Sequence, residues 1–313
     1  LLPIVPMFHV NGWTIPFMCA MLGAKLVLPG KDLDAASLHE IMKAEGVTFA
    51  AGVPTVWQQL LGYLNENDLL LPDLKRVMVG GSAAPRIMIE TFKDGYDIDV
   101  MHAWGMTETT SMGTSPSLSA KVVRQGADSM LTAKMMQGRS YFGLEMKLMD
   151  DAGNELPKDG EASGHLYIRG WAVASEYLGA GKTEEFTEDG WFSTGDIATL
   201  TPDGYLRLTD RAKDLIKSGG EWISSIDLEN AAMAHPSIKQ AAVIAIPHPK
   251  WDERPLLIAV PEGAPPSKSE LLKFLSRSVA KWWLPDEVVF QAELPLGATG
   301  KVDKKLLREN YWA

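Results

Sequence analysis

Four stretches of this sequence combine charged side chains with glycine at close spacing: AWGMTETT at 103–110, STGD at 193–196, DRAKDLIKSGGEWIS at 210–224 and GATGKVDKK at 297–305. Glycine lets a backbone approach a polar ligand closely. Asp196, beside Gly195 in a β context, has the side chain to take two ribose hydroxyls, the logic of the acidic ribose binder in dinucleotide folds. Thr107 offers a hydroxyl to an anionic oxygen. Glu108 offers a carboxylate to Mg²⁺, the natural counterion of a triphosphate. Lys301 is a cation on a flexible arm behind a loop. Together these residues describe a site for a nucleotide and a carboxylic acid.

Each motif alone has a plainer reading. Thr107 could cap a helix, Asp196 could close an Asx-turn, and the alternating charges from Arg211 to Lys217 could line a surface strand. A lone lysine near a C-terminus is usually solvated. The joint occurrence favours the site.

These residues need elements to hold them. Over 1–110 apolar strand-like runs alternate with helical patterns. KLVLP at 25–29 reads as a strand, and Asp34 caps a helix that stops at Gly46. VTFAAGVP gives a second strand, followed by a helix over 55–65. KRVMV at 75–79 is a third strand, with a helix after Pro85, and DVMHAW at 99–104 a fourth. This rhythm predicts a largely parallel sheet with helices on its faces. Over 140–210 the short runs EMKLMD, GHLYIRG, WFSTGDIATL and GYLRLTD predict an antiparallel sheet or small barrel. A compact α+β unit follows, with a helix around 225–235, strands KQAAVIAIP and LLIAVP, and a capping box of Ser267 and Glu270 on a helix through Val279. The expected domains are 1–212, whose residues from about 140 form the β-rich part, and 213–313.

The chain has 313 residues, 46% hydrophobic and 22% charged, with a formal net charge of −10. That is ordinary globular composition. The scattered basic residues argue against nucleic acid as a partner, and an acidic chain can still bind a nucleotide through a few placed cations. The single cysteine, Cys19, permits no internal disulfide and fits a reducing, cytoplasmic setting as a small buried hydrophobe. The apolar stretch from Ile15 to Leu28 is interrupted by Pro16, Gly23 and Lys25 and is shorter than the ~20 residues of a membrane span. No basic leader or cleavage pattern marks a signal peptide.

Two patterns mislead. GAGKT at 179–183 ends like a phosphate loop, but Glu176 stands where that loop needs glycine. VGGSAAP at 79–85 resembles a nucleophile elbow, but Ala84 stands where the hydrolase has glycine. It reads better as a glycine turn at a strand's C-terminal end, where open α/β sheets bind ligands. The histidines lack metal-ligand spacing. His165, His235 and His248 read as surface or strand-end residues, and Trp282 with Trp283 as packing.

PMFHVNG, VGGSAAP, AWGMTE, STGD, DRAKDLIKSGGEWIS and TGK follow one another as in the adenylate-forming superfamily, and the sequence resembles its acyl-CoA synthetases. Within that family it is most similar to medium- and long-chain fatty-acid CoA ligases, including the 3-methylmercaptopropionate branch. The resemblance implies an α/β large domain with a parallel sheet and a β-rich subdomain, then a small mobile α+β domain. It implies ATP, Mg²⁺ and coenzyme A as cofactors or cosubstrates and a small carboxylic acid as substrate. The acid reacts through an acyl-AMP intermediate to a CoA thioester. A homodimer is one assembly it allows. By position, Gly81, Ser82 and Ala83 border the adenine and acyl pocket, and Trp104 with Gly105 lies beside the adenine. Thr107 touches phosphate and Glu108 binds Mg²⁺. Asp196 holds the ribose, Arg211 supports ribose or phosphate, and Lys301 stabilises the charge of adenylation. His9, Asn11 and Trp13 belong to the acyl pocket, and Lys213 is the hinge. Lys217, Ser218, Gly219, Gly220, Glu221 and Trp222 form the loop for CoA. The family's Ser/Thr/Gly-rich phosphate loop stands upstream of PMFHVNG, where this chain starts. The expectation is therefore the C-terminal part of a longer ligase, with exposed sheet edge and apolar surface. An enzyme loading a carrier protein and a non-catalytic nucleotide-binding remnant are the alternatives.

Overall fold

The computed structural model of this chain describes residues 1–181, 183–298 and 300–312. They form two compact units. One comprises Leu1–Thr194 with Ala198–Leu208, the other Gly195–Ile197 with Thr209–Ala313.

The first unit is built on a four-stranded sheet of Leu2–Pro3, Phe49–Gly52, Arg76–Val79 and Asp99–His102, in that order. Every pairing is parallel, with Ala50 opposite Leu2 and Val77, and Val77 opposite Val100. Leu2, Ala50, Val77 and Val100 are buried, as expected where crossover helices cover a parallel sheet. The helix Pro54–Glu66 presents Trp57, Leu60 and Leu64 to that sheet, a 3–4 spacing that keeps them on one face. The buried Trp57 ring meets Phe92 edge-on at 5.9 Å, and its Nε1 donates to the carbonyls of Gly52 and Met78 at the strand ends.

Asp34 caps the helix Ala35–Ala44 by accepting from Ser37 N, and Gly46 follows its end in the left-handed region. Residues 25–29 depart from expectation. They make backbone bonds to Leu1 at Lys25 and Val27 but form no ladder strand. Only Val27 of this run is buried, so one side chain anchors it.

The β-rich region has an antiparallel pair, Leu144–Met149 with Ser163–Gly170, in a sheet continued by Phe192–Leu200 and Leu206–Arg211. The alternation of buried Leu144, Met146 and Leu148 with more exposed neighbours gives the period of two of a half-buried sheet.

In the second unit the long antiparallel pair Ile238–His248 and Asp252–Pro261 forms the spine, with Glu287–Phe290 parallel beside it. The helix Ser225–Met233 packs on this sheet through Leu228, Ala231 and Ala232. Ser267 accepts from Glu270 N, which supplies the serine half of the expected cap. The helix then runs over Lys268–Leu275 and ends four residues before Val279. Ser276 Oγ donates to Lys273 O there, a local bond that competes with helix continuation.

Among the described residues no helix is long and apolar enough to cross a membrane. Cys19 is buried. His235, expected at the surface or a strand end, is buried between the helix Ser225–Met233 and the strand Ile238–His248, with its ring edge-on to Phe274 at 4.8 Å and Nδ1 accepting from Ser237 N. The Trp282 and Trp283 rings meet edge-on at 5.9 Å rather than stacking.

Candidate functional site

The residues singled out in the sequence fall into two groups, each within one compact unit.

The first group lies at the C-terminal ends of the parallel strands, where open sheets bind ligands. Val79 and His102 are register partners, and Ala103 N continues the pairing to Val79 O. The loops 80–84 and 103–109 therefore leave the sheet side by side. Gly81 turns at φ +80, Gly81 and Ser82 are exposed, and Ala83 is half-buried. Trp104 is buried, with its backbone N–H on Thr114 Oγ1 at 2.8 Å and its carbonyl accepting from Thr114 N. A Cβ on Gly105 would lie 2.1 Å from Ser111 O, and one on Gly113 2.3 Å from the Trp104 ring. No larger residue fits either position without moving backbone or indole.

Thr107 is exposed and Glu108 half-buried in the short turn Thr107–Thr109. Thr109 Oγ1 accepts from Met106 N, which closes the turn. Thr110 and Ser111 then take φ +52 and +60, a conformation that costs side-chain-bearing residues about 1–2 kcal/mol each. Such strain clusters at functional sites. Glu108 is held twice: its carbonyl accepts from Ala174 N at 2.7 Å, and Oε1 accepts from Tyr177 OH at 2.9 Å. Burial, then the Glu108 bond and charge, push the Tyr177 phenol up to about 12, so it is a donor at any physiological pH. Among the described residues no three His, Cys, Asp or Glu side chains could hold a metal together. Mg²⁺ is commonly held by one or two carboxylates plus phosphate oxygens and water, so the Glu108 carboxylate suits it.

His9, Asn11 and Trp13 lie in a turn with the same strain. Val10, Asn11, Trp13 and Thr14 have φ +39, +50, +53 and +61, and Gly12 between them has +63. His9 and Trp13 are half-buried and Asn11 is exposed. A Cβ on Gly80 would stand 3.1 Å from the Trp13 ring. The structure thus brings Trp13 against the start of the 80–84 loop.

The second group is in the second unit. Asp196 is 2% exposed, and Arg211 Nε lies 2.8 Å from its Oδ1. Gly195 turns at φ +71, and its carbonyl accepts from Ala212 N at 3.0 Å. Lys301 stands on a tight hairpin in which Gly297 N donates to Lys301 O and Gly300 N to Gly297 O. Thr299 of the TGK motif, like Lys182 of GAGKT, lies outside the described residues. Burial, then the nearby Arg211 guanidinium, pull Lys301 below the usual lysine range, while Asp196 opposes them. Asp196, Arg211 and Lys301 therefore form one electrostatic group: a buried carboxylate with two cations.

Lys213 is exposed in a turn where Asp214 N and Leu215 N both donate to Arg211 O. The CoA-loop candidates form a hairpin. Ile216–Ser218 pairs with Glu221–Ile223, Ser218 opposite Glu221, around Gly219 and Gly220 at φ +61 and +87. Two central residues of positive φ suit a type I′ turn. Lys217 Nζ lies 5.1 Å from the centroid of the Trp222 ring. The Trp251 ring would be 2.7 Å from a Cβ on Gly219, so this glycine is needed for space as well as for its turn.

The description "AMP-binding enzyme" matches residues 1–178, and "AMP-binding enzyme C-terminal domain" matches residues 227–301. The chain belongs to the AMP-binding enzymes. Over 311 residues it is 51% identical to the 3-methylmercaptopropionyl-CoA ligase of Ruegeria lacuscaerulensis, covering 99% of this chain and 58% of that protein. It is 49% identical to the medium-chain-fatty-acid–CoA ligase of Ectopseudomonas oleovorans, with 99% and 57% covered. The chain thus spans somewhat over half the length of these relatives. Among solved structures, o-succinylbenzoate CoA synthetase from Bacillus subtilis, in complex with its acyl-adenylate intermediate, aligns with a TM-score of 0.81. The two are 26% identical over 98% of this chain and 60% of that one.

Several residues of this AMP-binding enzyme carry structural weight that its motifs do not announce. Tyr177 holds Glu108 from 69 positions away. His102, under the 80–84 loop, faces Ala84 N and the Gln137 amide, each 3.3 Å from Nε2. Gln137 Oε1 also accepts from Leu208 N. His102 adjoins a recognisable motif, and its place two residues before Trp104 was the one available signal. Tyr177 and Gln137 had none, because their roles arise only when distant segments meet.

Proposed function

We propose that the protein containing this chain is an ATP-dependent acid–CoA ligase. The observation that carries the reading is the 51% identity to a CoA ligase across 99% of the chain. The grouping of Asp196, Arg211 and Lys301 in one unit supports it. In the first half-reaction a carboxylate oxygen of the acid attacks the α-phosphorus of ATP. The bond from that phosphorus to the bridging oxygen breaks, and pyrophosphate leaves with the electron pair. In the second, the thiolate of CoA attacks the acyl carbonyl, and AMP leaves as the carbon–oxygen bond breaks.

The residues take the following parts in this reading. Asp196 accepts from ribose hydroxyls, with Arg211 fixing its carboxylate and facing ribose or phosphate. Lys301 stabilises negative charge that grows as the α-phosphate is attacked, a preorganised electrostatic role. Its lowered pKa reflects a partly desolvated ammonium, whose field is strong because little water screens it. Thr107 donates to phosphate. Glu108, oriented by Tyr177, holds Mg²⁺, which supplies charge neutralisation on the phosphates. Gly81, Ser82 and Ala83 with Trp104 and Gly105 border the adenine, while His9, Asn11 and Trp13 border the acid. The loop 217–222 meets CoA. The proposal includes domains at 1–212 and 213–313, a hinge at Lys213, a cytoplasmic setting and a homodimer.

The substrate class is a fatty or short thioether acid, from the names of the relatives. The test is formation of acyl-CoA, followed by mass spectrometry, by the gene product that contains this chain. Supplied with ATP, Mg²⁺, CoA and either 3-methylmercaptopropionate or a medium- or long-chain fatty acid, it should form one thioester class. Acyl-AMP without thioester, even with CoA present, would point instead to a carrier-protein acceptor.

A further inference from the structure

Arg211 ends the strand Leu206–Arg211, and a cluster of charged side chains not used above fixes that strand end. Asp210, 2% exposed, accepts from Ser225 N at 2.7 Å and from Arg211 N at 2.8 Å. Ser224 Oγ donates to Thr209 O at 2.6 Å. The strand end is thereby seated on the N-terminus of the helix Ser225–Met233, where an anion is favoured. Lys304, the first residue of the helix Lys304–Tyr311, meets the same place. Its Nζ is 2.7 Å from Glu229 Oε1 and 2.5 Å from Ser225 Oγ. Four residues on, Arg308 Nη1 lies 2.7 Å from Asp214 Oδ1. The one helix therefore sets cations on both flanks of Arg211.

The energetics show what Lys304 does. Burial alone would lower Lys304, but Glu229, Asp210 and Asp214 outweigh it and hold it above the usual lysine range. Burial raises Asp210 above the usual carboxylate range, and Lys304 is the largest influence opposing that rise. Removing one partner of such a buried cluster leaves an uncompensated charge, which costs far more than a surface pair. An Asp210 that takes up a proton, or turns towards water, is a poorer acceptor for Arg211 N–H.

We propose that Lys304 is a positioning residue for the nucleotide: through Ser225 and Asp210 it fixes the backbone of Arg211, and with it the Arg211–Asp196 pair. The inference rests on the ligase reading, which gives that pair the ribose and phosphate. Misplacement by a fraction of an ångström at such a pair is expected to matter, since 1 Å is worth about a hundredfold in favourable cases.

The experiment compares the parent gene product with Lys304→Met and Lys304→Arg. The readouts are KM for ATP and for the acid in ATP–pyrophosphate exchange, AMP binding by calorimetry, and amide exchange at Arg211. Lys304→Met is expected to raise KM for ATP and Kd for AMP about tenfold, to leave the acid KM within about twofold and to speed Arg211 amide exchange. Lys304→Arg, which keeps the cation, is expected to restore most of the loss. A purely structural role would lower melting temperature and active fraction without moving the ATP KM. A folded Lys304→Met protein with parental ATP KM and AMP Kd overturns the proposal. If Lys304→Met does not fold, Asp210→Asn replaces it, with the same expected rise and the same overturning result. A parent that neither exchanges nor binds AMP refutes the ligase reading instead. The Arg211 amide then decides alone, and unchanged exchange in Lys304→Met overturns the proposal.

Discussion

At the scale of single residues, the proposed chemistry depends on side chains whose behaviour is set by neighbours far away in sequence. Glu108, proposed to hold Mg²⁺, accepts from the phenol of Tyr177, and outer partners of a metal-holding carboxylate typically tune metal affinity 10–100-fold. Tyr177→Phe should therefore raise the Mg²⁺ concentration for half-maximal adenylation about tenfold, with little change in KM for the acid. A Mg²⁺ titration of pyrophosphate exchange checks this, and an unchanged midpoint would remove Tyr177 from the site. Much of the candidate site is a matter of residue types and so could be proposed from sequence. Asp196, Arg211 and Lys301 stood out because charge beside glycine is chemically pointed, and the structure groups all three. Tyr177, Gln137 and Lys304 were not legible. A tyrosine in SEYLG or a lysine opening a C-terminal helix has no distinctive local signature, and only packing assigns a partner.

At the scale of elements, the two loops at the ends of the parallel strands depend on space and on a neutral histidine. Gly105→Ala would place a methyl group 2.1 Å from Ser111 O. The turn that carries Thr107 and Glu108 should then shift, with loss of adenylation greater than loss of overall stability. Equal losses, read by exchange rate against melting temperature, would show that the glycine serves the fold alone. Burial holds His102 down to about 4 from its ordinary 6.5. The unfolded state binds the proton more readily between those values. Stability from this group is thus fully present above about pH 6.5 and is lost as pH falls towards 4, by about 3 kcal/mol in total. His102→Asn should flatten the acid side of the urea-midpoint profile in that window. The strands 49–52, 76–79 and 99–102 were readable as short apolar runs bounded by turns. Residues 25–29 look alike in composition but bury only Val27, and periodicity cannot see how much of a run is covered. The helix expected to reach Val279 stops at Leu275, where the Ser276 hydroxyl bonds to the Lys273 carbonyl.

At the scale of the whole molecule, the helix Ile15–Leu22 shows an uncovered apolar face. Met21 is 85% and Leu22 72% exposed, with Phe17 on the same helix also exposed. Contiguous apolar surface of this kind marks an interaction site or an aggregation liability. The 313-residue chain expressed by itself should bind a hydrophobic dye and self-associate, and Met21→Glu with Leu22→Lys should reduce both. Analytical ultracentrifugation decides, and a monodisperse parent chain without dye binding would contradict the expectation. The division into two compact units gives each group of candidate residues its own scaffold, and the adenylation proposed above draws on both. The most direct measurement is carboxylate-dependent ATP–pyrophosphate exchange by the gene product that contains this chain, run over a panel of acids beside its Lys301→Ala variant. Exchange is predicted with one class of acid and is lost by at least about a hundredfold in Lys301→Ala, while supplied acyl-AMP is still converted to thioester. Exchange that survives in Lys301→Ala, or equal loss of both half-reactions, would contradict that prediction.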